Sequence, residues 1–230
     1  MGSYYIYLIA MLGVMLLGII AQAGVRSAFE KYSKVDSGCG KPAAQVAKEL
    51  LSANGSGVQV GAIQGSLTDN YNPKTGQVSL SQTVYPSSSI AAIAVAAHEC
   101  GHVMQYESGY GPIRFRNTLL PVANIGARFS YILVFLGMII GGMGYYVSLA
   151  GVALFAFAFI FQLVTLPVEL NASNRALDML TAGGYICGAE QEAGARKVLR
   201  AAAFTYVVAV LASAVTLLRL LAILNSGRRR

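Results

Sequence analysis

Two long stretches of the chain carry no charged side chain and a third carries one, and that pattern sets its organisation. Tyr4 to Val25 carries none, and at about 1.5 Å of rise per helical residue such a run crosses a bilayer once. Phe129 to Val168 is longer and uncharged, enough for two crossings, with Gly141-Gly142-Met143-Gly144 or Tyr145-Tyr146 as the turn between them. Ala201 to Leu224 makes a fourth span, interrupted by Arg219, whose long side chain can snorkel toward the nearer surface. The first run lacks a basic segment before it and exceeds the apolar core of a signal peptide, so it reads as a retained anchor.

Between the spans the period changes. Pro42 opens a short amphipathic helix with Ala43, Val46, Ala47, Leu50 and Leu51 inward, stopped by Asn54-Gly55. Val58 to Ile63 and Gln77 to Ser81 alternate as half-buried strands around the turn-forming Asn72-Pro73-Lys74-Thr75-Gly76, and a small hairpin or two-stranded sheet is the simplest pairing. Ser89 then caps a helix that runs to about Glu107 and ends at Gly109. Its stripe of Ile90, Ile93, Ala97, Gly101 and Met104, with Ala91, Ala92, Ala94 and Ala96 beside it, suits close approach by other helices.

The expected fold class is therefore a mainly α membrane protein with a small β hairpin and four transmembrane helices. Five segments follow: 1–25, the first span; 26–128, a membrane-proximal segment with the hairpin and the capped helix; 129–168, a transmembrane helical hairpin; 169–200, a helix and amphipathic connector; and 201–230, the last span and a basic tail.

Composition agrees with a bilayer protein. Apolar residues make up 55%, charged residues only 12%, where soluble domains carry roughly a quarter charged. Tryptophan is absent, so tyrosines such as Tyr4, Tyr5, Tyr7 and Tyr146 must supply any interfacial belt. With four crossings, 26–128 and 169–200 share one side. Arg26, Lys31, Lys34, Arg114, Arg116, Arg128, Arg175, Arg196, Lys197 and Arg200 stand near the span ends there, against Arg228-Arg229-Arg230 on the other side. The positive-inside rule puts that first side in the cytoplasm of a multi-pass cell-membrane protein, although the terminal triplet pulls the other way. Topology accounts for the net charge of +7, and no basic–aromatic pattern suggests nucleic acid. The cysteines Cys39, Cys100 and Cys187 are odd in number and show no C-x-x-C spacing, which excludes a disulfide framework and fits a reducing side.

Both histidines of the chain lie in His98-Glu99-Cys100-Gly101-His102, inside the capped helix. Imidazoles four apart stack on one helical face and can direct a nitrogen each at one divalent ion. The glutamate between them, turned about 100° from the first histidine, can take a proton from a water activated by zinc. Cys100 points off that face and serves as a small packing residue. A helix that only packs would gain nothing from three polar groups flanked by Ala96, Ala97, Gly101 and Val103. A catalytic zinc site normally takes three protein ligands. Without a third histidine the remaining ligand is a carboxylate: Glu169, directly after Leu166-Pro167-Val168 on the same side, with Asp178 as the alternative and Glu107, Asp36 and Asp69 behind them.

These residues carry a resemblance. Leu67-Thr68-Asp69-Asn70-Tyr71-Asn72-Pro73, Ala96-Ala97-His98-Glu99-Cys100-Gly101-His102 with Gln105, Arg116-Asn117, Pro121-Val122-Ala123-Asn124 and Leu166-Pro167-Val168-Glu169 with Ala172-Ser173 and Arg175 resemble the YugP-type family of membrane-bound zinc metallopeptidases, distantly similar to HtpX and Ste24 type gluzincins. The resemblance spans Leu67 to Leu177. It implies a gluzincin-like core at the membrane surface, one Zn2+ ion per chain on His98, His102 and Glu169, Glu99 as general base, and peptide or membrane-protein substrates. Asn70 departs from a common histidine, and Asn72 and Asn171 from aspartates. The expected activity is hydrolysis of peptide bonds. A metal-binding membrane scaffold without hydrolysis is the alternative, disfavoured because a structural site needs no base between its ligands. A divalent-ion transporter would need ionisable groups deep in several spans, and the spans hold essentially none.

Overall fold

A computed structural model describes residues 2–140 and 143–227. Six helices and a three-stranded sheet follow in the order α1 (Gly2–Tyr32), α2 (Ala43–Ala53), β1 (Gln59–Ile63), β2 (Asn70–Asn72), β3 (Gln77–Ser81), α3 (Ile90–Glu107), α4 (Gly111–Ile140), α5 (Gly144–Ala182) and α6 (Ala189–Gly227). By length and composition, four of the helices can cross a membrane: α1, α4, α5 and α6. All four run past the uncharged stretches, because polar turns continue a helix once it has been nucleated by an apolar one. Of the expected turn between the second and third spans, Gly141 and Gly142 lie outside the described residues, as do Arg228, Arg229, Arg230 and the side chain of Tyr4; Tyr145 and Tyr146 fall inside α5.

The chain divides into two compact units. One, the span unit, comprises Met1–Ile20, Gly111–Pro167 and Thr205–Arg230; the other, the site unit, comprises Ala21–Tyr110 and Val168–Phe204. In the span unit, α4 and α5 pack through small residues. A Cβ on Gly126 would strike the Leu154 carbonyl, and one on Gly151 would lie 2.7 Å from the Ser130 carbonyl oxygen. Ser148 Oγ donates to the Val134 carbonyl at 3.1 Å, the kind of main-chain approach that holds helices together where water supplies no hydrophobic drive. Large apolar side chains point outward, among them Ile9, Leu16, Ile19, Phe135 and Ile139.

In the site unit, α2 forms where expected. Pro42 is its N-cap residue, Asn54 ends it, and Ala43, Val46, Ala47, Leu50 and Leu51 are buried. Ser89 Oγ accepts from the Ala92 amide at 3.2 Å and starts α3. Gly109, at φ +66°, lies just beyond the Ser108 cap that ends it. The helix is enclosed on nearly every face, with Ile90, Ala91, Ile93, Ala94, Ala96, Ala97, Cys100 and Val103 fully buried.

The sheet has the order β1-β3-β2. The hairpin is β2 with β3, antiparallel across the Asn72–Gly76 turn, pairing Asn70 with Ser79 and Asn72 with Gln77. β1, read from sequence as the partner of β3 in a hairpin, instead joins β3 in parallel, with Gln59 opposite Gln77 and Ile63 opposite Ser81. The strand that intervenes is three residues long and mostly polar, so it gives no alternation to read. Val78 and Leu80 share the buried face of β3.

Candidate metal centre

The motif histidines stand one turn apart on α3, and the carboxylate arrives from α5. What brings the helices together is position 101. A Cβ there would collide with the Ala172 carbonyl oxygen, so only glycine lets α3 and α5 meet main chain to main chain. Glu169, one turn before Ser173 on α5, then reaches both rings. Its Oε2 lies 3.3 Å from His98 Nε2 and 3.5 Å from His102 Nε2. The rings are nearly perpendicular, at 83°, and all three ligand atoms fall within 4.8 Å of one another.

These separations test whether a metal fits. Ligand bonds of about 2.0–2.1 Å in a tetrahedron put the ligand atoms about 3.3 Å apart, which is the spacing from Glu169 to each histidine. Two imidazole nitrogens and one carboxylate oxygen are the donor chemistry zinc accepts. Among the described residues this is the single cluster of its kind.

The other carboxylates weighed as ligands are engaged elsewhere. Asp69 accepts from the amide and hydroxyl of Ser81, at 2.7 and 3.1 Å. Glu107 accepts from Ser56, and Asp36 from Ser88 and the Gly38 amide. Asp178 lines a polar groove with Glu107 and Arg175, outside the cluster.

Behind the ligands lies a set of hydrogen bonds whose direction can be deduced. Arg175 Nε can only donate, so the Asn171 atom 2.9 Å from it is the amide oxygen. Gln105 Nε2 donates to that oxygen at 3.0 Å and to the Val168 carbonyl at 2.7 Å. Both hydrogens of the Gln105 amide are thereby used, and its Oε1, 3.0 Å from His102 Nδ1, must accept. His102 therefore carries a proton on Nδ1, and its Nε2 is the nitrogen that faces Glu169 and would be left to hold a metal. The same is not imposed on His98, whose Nδ1 meets the Ser173 hydroxyl at 3.2 Å, since a hydroxyl can donate or accept. The amide of Asn171 thus does in this chain what an aspartate would do, as an acceptor for two donors, without a second buried charge.

Glu99 is buried, and burial pushes its carboxyl above the usual range. The neighbouring histidines pull it back down, and Glu169 and Asp69 push it up again. Burial works against a charged His102 ring, but hydrogen bonding to Glu169 and the charges of Glu99 and Glu169 outweigh it, and its pKa is raised. Cys100 is fully buried in α3, burial raises its thiol, and Sγ faces the Ala47 carbonyl. It is a packing residue, not a nucleophile. Gln105 and Ser173 were visible in sequence without a role. A fully buried glutamine three residues after a motif histidine, on the same helical face, is the signal that could have found one.

Comparison with known proteins agrees with the geometry. Residues 7–225 match the family described as "Putative neutral zinc metallopeptidase". The chain belongs to this family. It is 44% identical over 213 residues to the "Putative membrane protease YugP" of Bacillus subtilis (strain 168), covering 92% of this chain and 93% of that protein. No solved structure matches. Family membership and the four apolar helices make this a membrane protein of zinc-metallopeptidase type.

Proposed function

We propose that the chain is an integral-membrane zinc endopeptidase of gluzincin-like design, with one zinc ion on His98, His102 and Glu169 and Glu99 as general base. The observation that carries this reading is the convergence of two Nε2 atoms and one Oε2, the carboxylate 3.3 and 3.5 Å from the two nitrogens and all three within 4.8 Å, from helices far apart in sequence. Zinc bound there supplies Lewis acidity, lowering the pKa of water and polarising the scissile carbonyl. Glu99 takes the proton of the attacking water and delivers it to the leaving amine, a task its raised pKa suits. Gln105 and Ser173 hold the histidine rings in register through their Nδ1 atoms. Arg175, joined to that network through Asn171 and lying over the Tyr110 ring, is the best-connected donor for a developing oxyanion.

Membrane proteins or their exposed segments are the proposed substrates, because Glu169 directly follows the uncharged run ending at Val168. The distribution of Lys and Arg near the span ends supports a cytoplasmic catalytic side.

Glu99→Gln tests the assignment. The variant should bind zinc like the wild type and lose peptide hydrolysis by about 10²–10⁴-fold; an unchanged cellular phenotype would favour a scaffold. Metal analysis of Glu169→Ala should show loss of zinc, and full occupancy would move the third ligand elsewhere, with Asp178 next.

A further inference from the structure

A second site lies in the span unit, and it does not depend on the protease reading. The segments of this unit contain no Asp or Glu; every acidic residue of the chain falls in the other unit. Arg219 is the one charged residue in the apolar part of α6, about 12 Å along the helix from Gly227. Snorkelling alone would send its guanidinium outward. Instead it turns onto α1, where Nη1 lies 2.9 Å from Met11 Sδ. A thioether is a weak acceptor, poorly matched to a group with five strong donors.

Arg219 lines a groove of about 640 Å³ between α1 and α6, within the range of ligand pockets. Tyr7 and Ser226 give the groove polar groups at its terminal end, and Leu8, Leu12 and Ile223 give it apolar walls. Met11 and Met15 are shared with a second apolar groove that continues between the same helices to Gly18 and Val208, where a Cβ on Gly18 would lie 4.0 Å from Val208. The whole is amphiphilic: a lone cation at one end, then a methionine-lined track along two antiparallel helices.

We propose that this groove binds one anionic phospholipid, its phosphate on Arg219 and an acyl chain along Met11 and Met15. A phosphate gives the guanidinium the bidentate acceptor that Met11 cannot. An apolar protein segment or a lipid without phosphate would leave the cation in hydrocarbon with no counter-charge, which is costly, and a zwitterionic lipid brings an ammonium group of its own that competes with Arg219 for the phosphate.

The chain has no tryptophan, so Leu12→Trp installs a single fluorescent reporter at a half-exposed position on the groove wall. The protein is reconstituted in phosphatidylcholine vesicles containing a small fraction of lipid brominated in its acyl chains, either phosphatidylglycerol or phosphatidylcholine. Brominated phosphatidylglycerol should quench the reporter about fivefold more effectively, the preference expected for one arginine beside an anionic lipid. Arg219→Gln in the reporter background should bring the two lipids level, and Arg219→Lys should retain part of the preference. If Arg219→Gln does not fold, Ala222→Phe, which fills the groove and leaves the arginine, must remove the preference instead. Equal quenching in the parent, a preference that survives these changes, or no quenching by either lipid, as when a second copy of the chain covers the groove, overturns the proposal.

Discussion

The helices α1 and α3 are both mainly apolar, yet they meet different surroundings. In α3 the apolar surface is rich in alanine, and protein covers it: Ala91, Ala94, Ala96 and Ala97 have no exposure. In α1 the apolar side chains are Leu, Ile and Met, and Ile6, Ile9, Leu12, Met15, Leu16 and Ile19 remain open, each more than half exposed. Side-chain size separates the cases. Small residues admit another main chain, whereas large ones form a surface that lipid chains can cover. An apolar helix thus declares its solvent by the bulk of its side chains, and the polar residues it still carries acquire meaning from that. Two on α3, His98 and His102, are held by hydrogen-bond partners, and Glu99 beside them is buried; one on α6, at 219, lines a mostly apolar groove.

The sharpest way to break this contrast is at position 101. Gly101→Val should separate α3 from α5, abolish zinc binding and activity, and lower stability by about 3 kcal/mol or more, read by metal analysis and thermal unfolding in detergent. Ile93→Ala in α3 should cost about 2–5 kcal/mol by leaving a cavity, while Leu16→Ala in α1 should change stability by less than about 0.5 kcal/mol, since its side chain is exposed to begin with. Similar losses from the two would erase the distinction.

The ligand network sharpens it further. Gln105→Met, which keeps the volume and removes the acceptor, should weaken zinc affinity about 10–100-fold, measured by competition with a chromogenic chelator. Gln105→Glu, which keeps the acceptor facing His102, should retain more of it; a residue that merely fills space would show the reverse order. Ser173→Ala should have the smaller effect, because a hydroxyl imposes no direction on His98.

The weakest effect is expected on the surface of the site unit. Lys41, Tyr185 and Gln45 all donate to Glu49 and hold its carboxyl down at about 2. A depressed carboxylate stabilises the fold above its ordinary value of 4.5, and that contribution is lost as pH falls from there through about 2. The group is a third exposed, so Glu49→Gln should lower stability at neutral pH by no more than about 1 kcal/mol. The difference should vanish near pH 2 in melting curves.

The spans, α2, the caps of α3 and the convergence of His98, His102 and Glu169 were legible in the sequence, because each rests on local period, capping chemistry or a short motif. Two features were not. The parallel partnership of β1 with β3 is a long-range pairing with no local signal, and the hairpin forms between β3 and the three-residue β2, a strand too short to show alternation. The directional network through Gln105, Asn171 and Arg175 was also hidden, since polar residues on helices look like surface until another helix is seen against them.

The contact of Gly101 with Ala172 has one more consequence. Where two backbones touch, no rotamer remains to absorb relative movement, so the separation between imidazoles and carboxylate is a distance between helix axes. With an ion on the proposed ligands, its capture and helix docking would be a single equilibrium, and any force that pries these two cylinders apart would also release it.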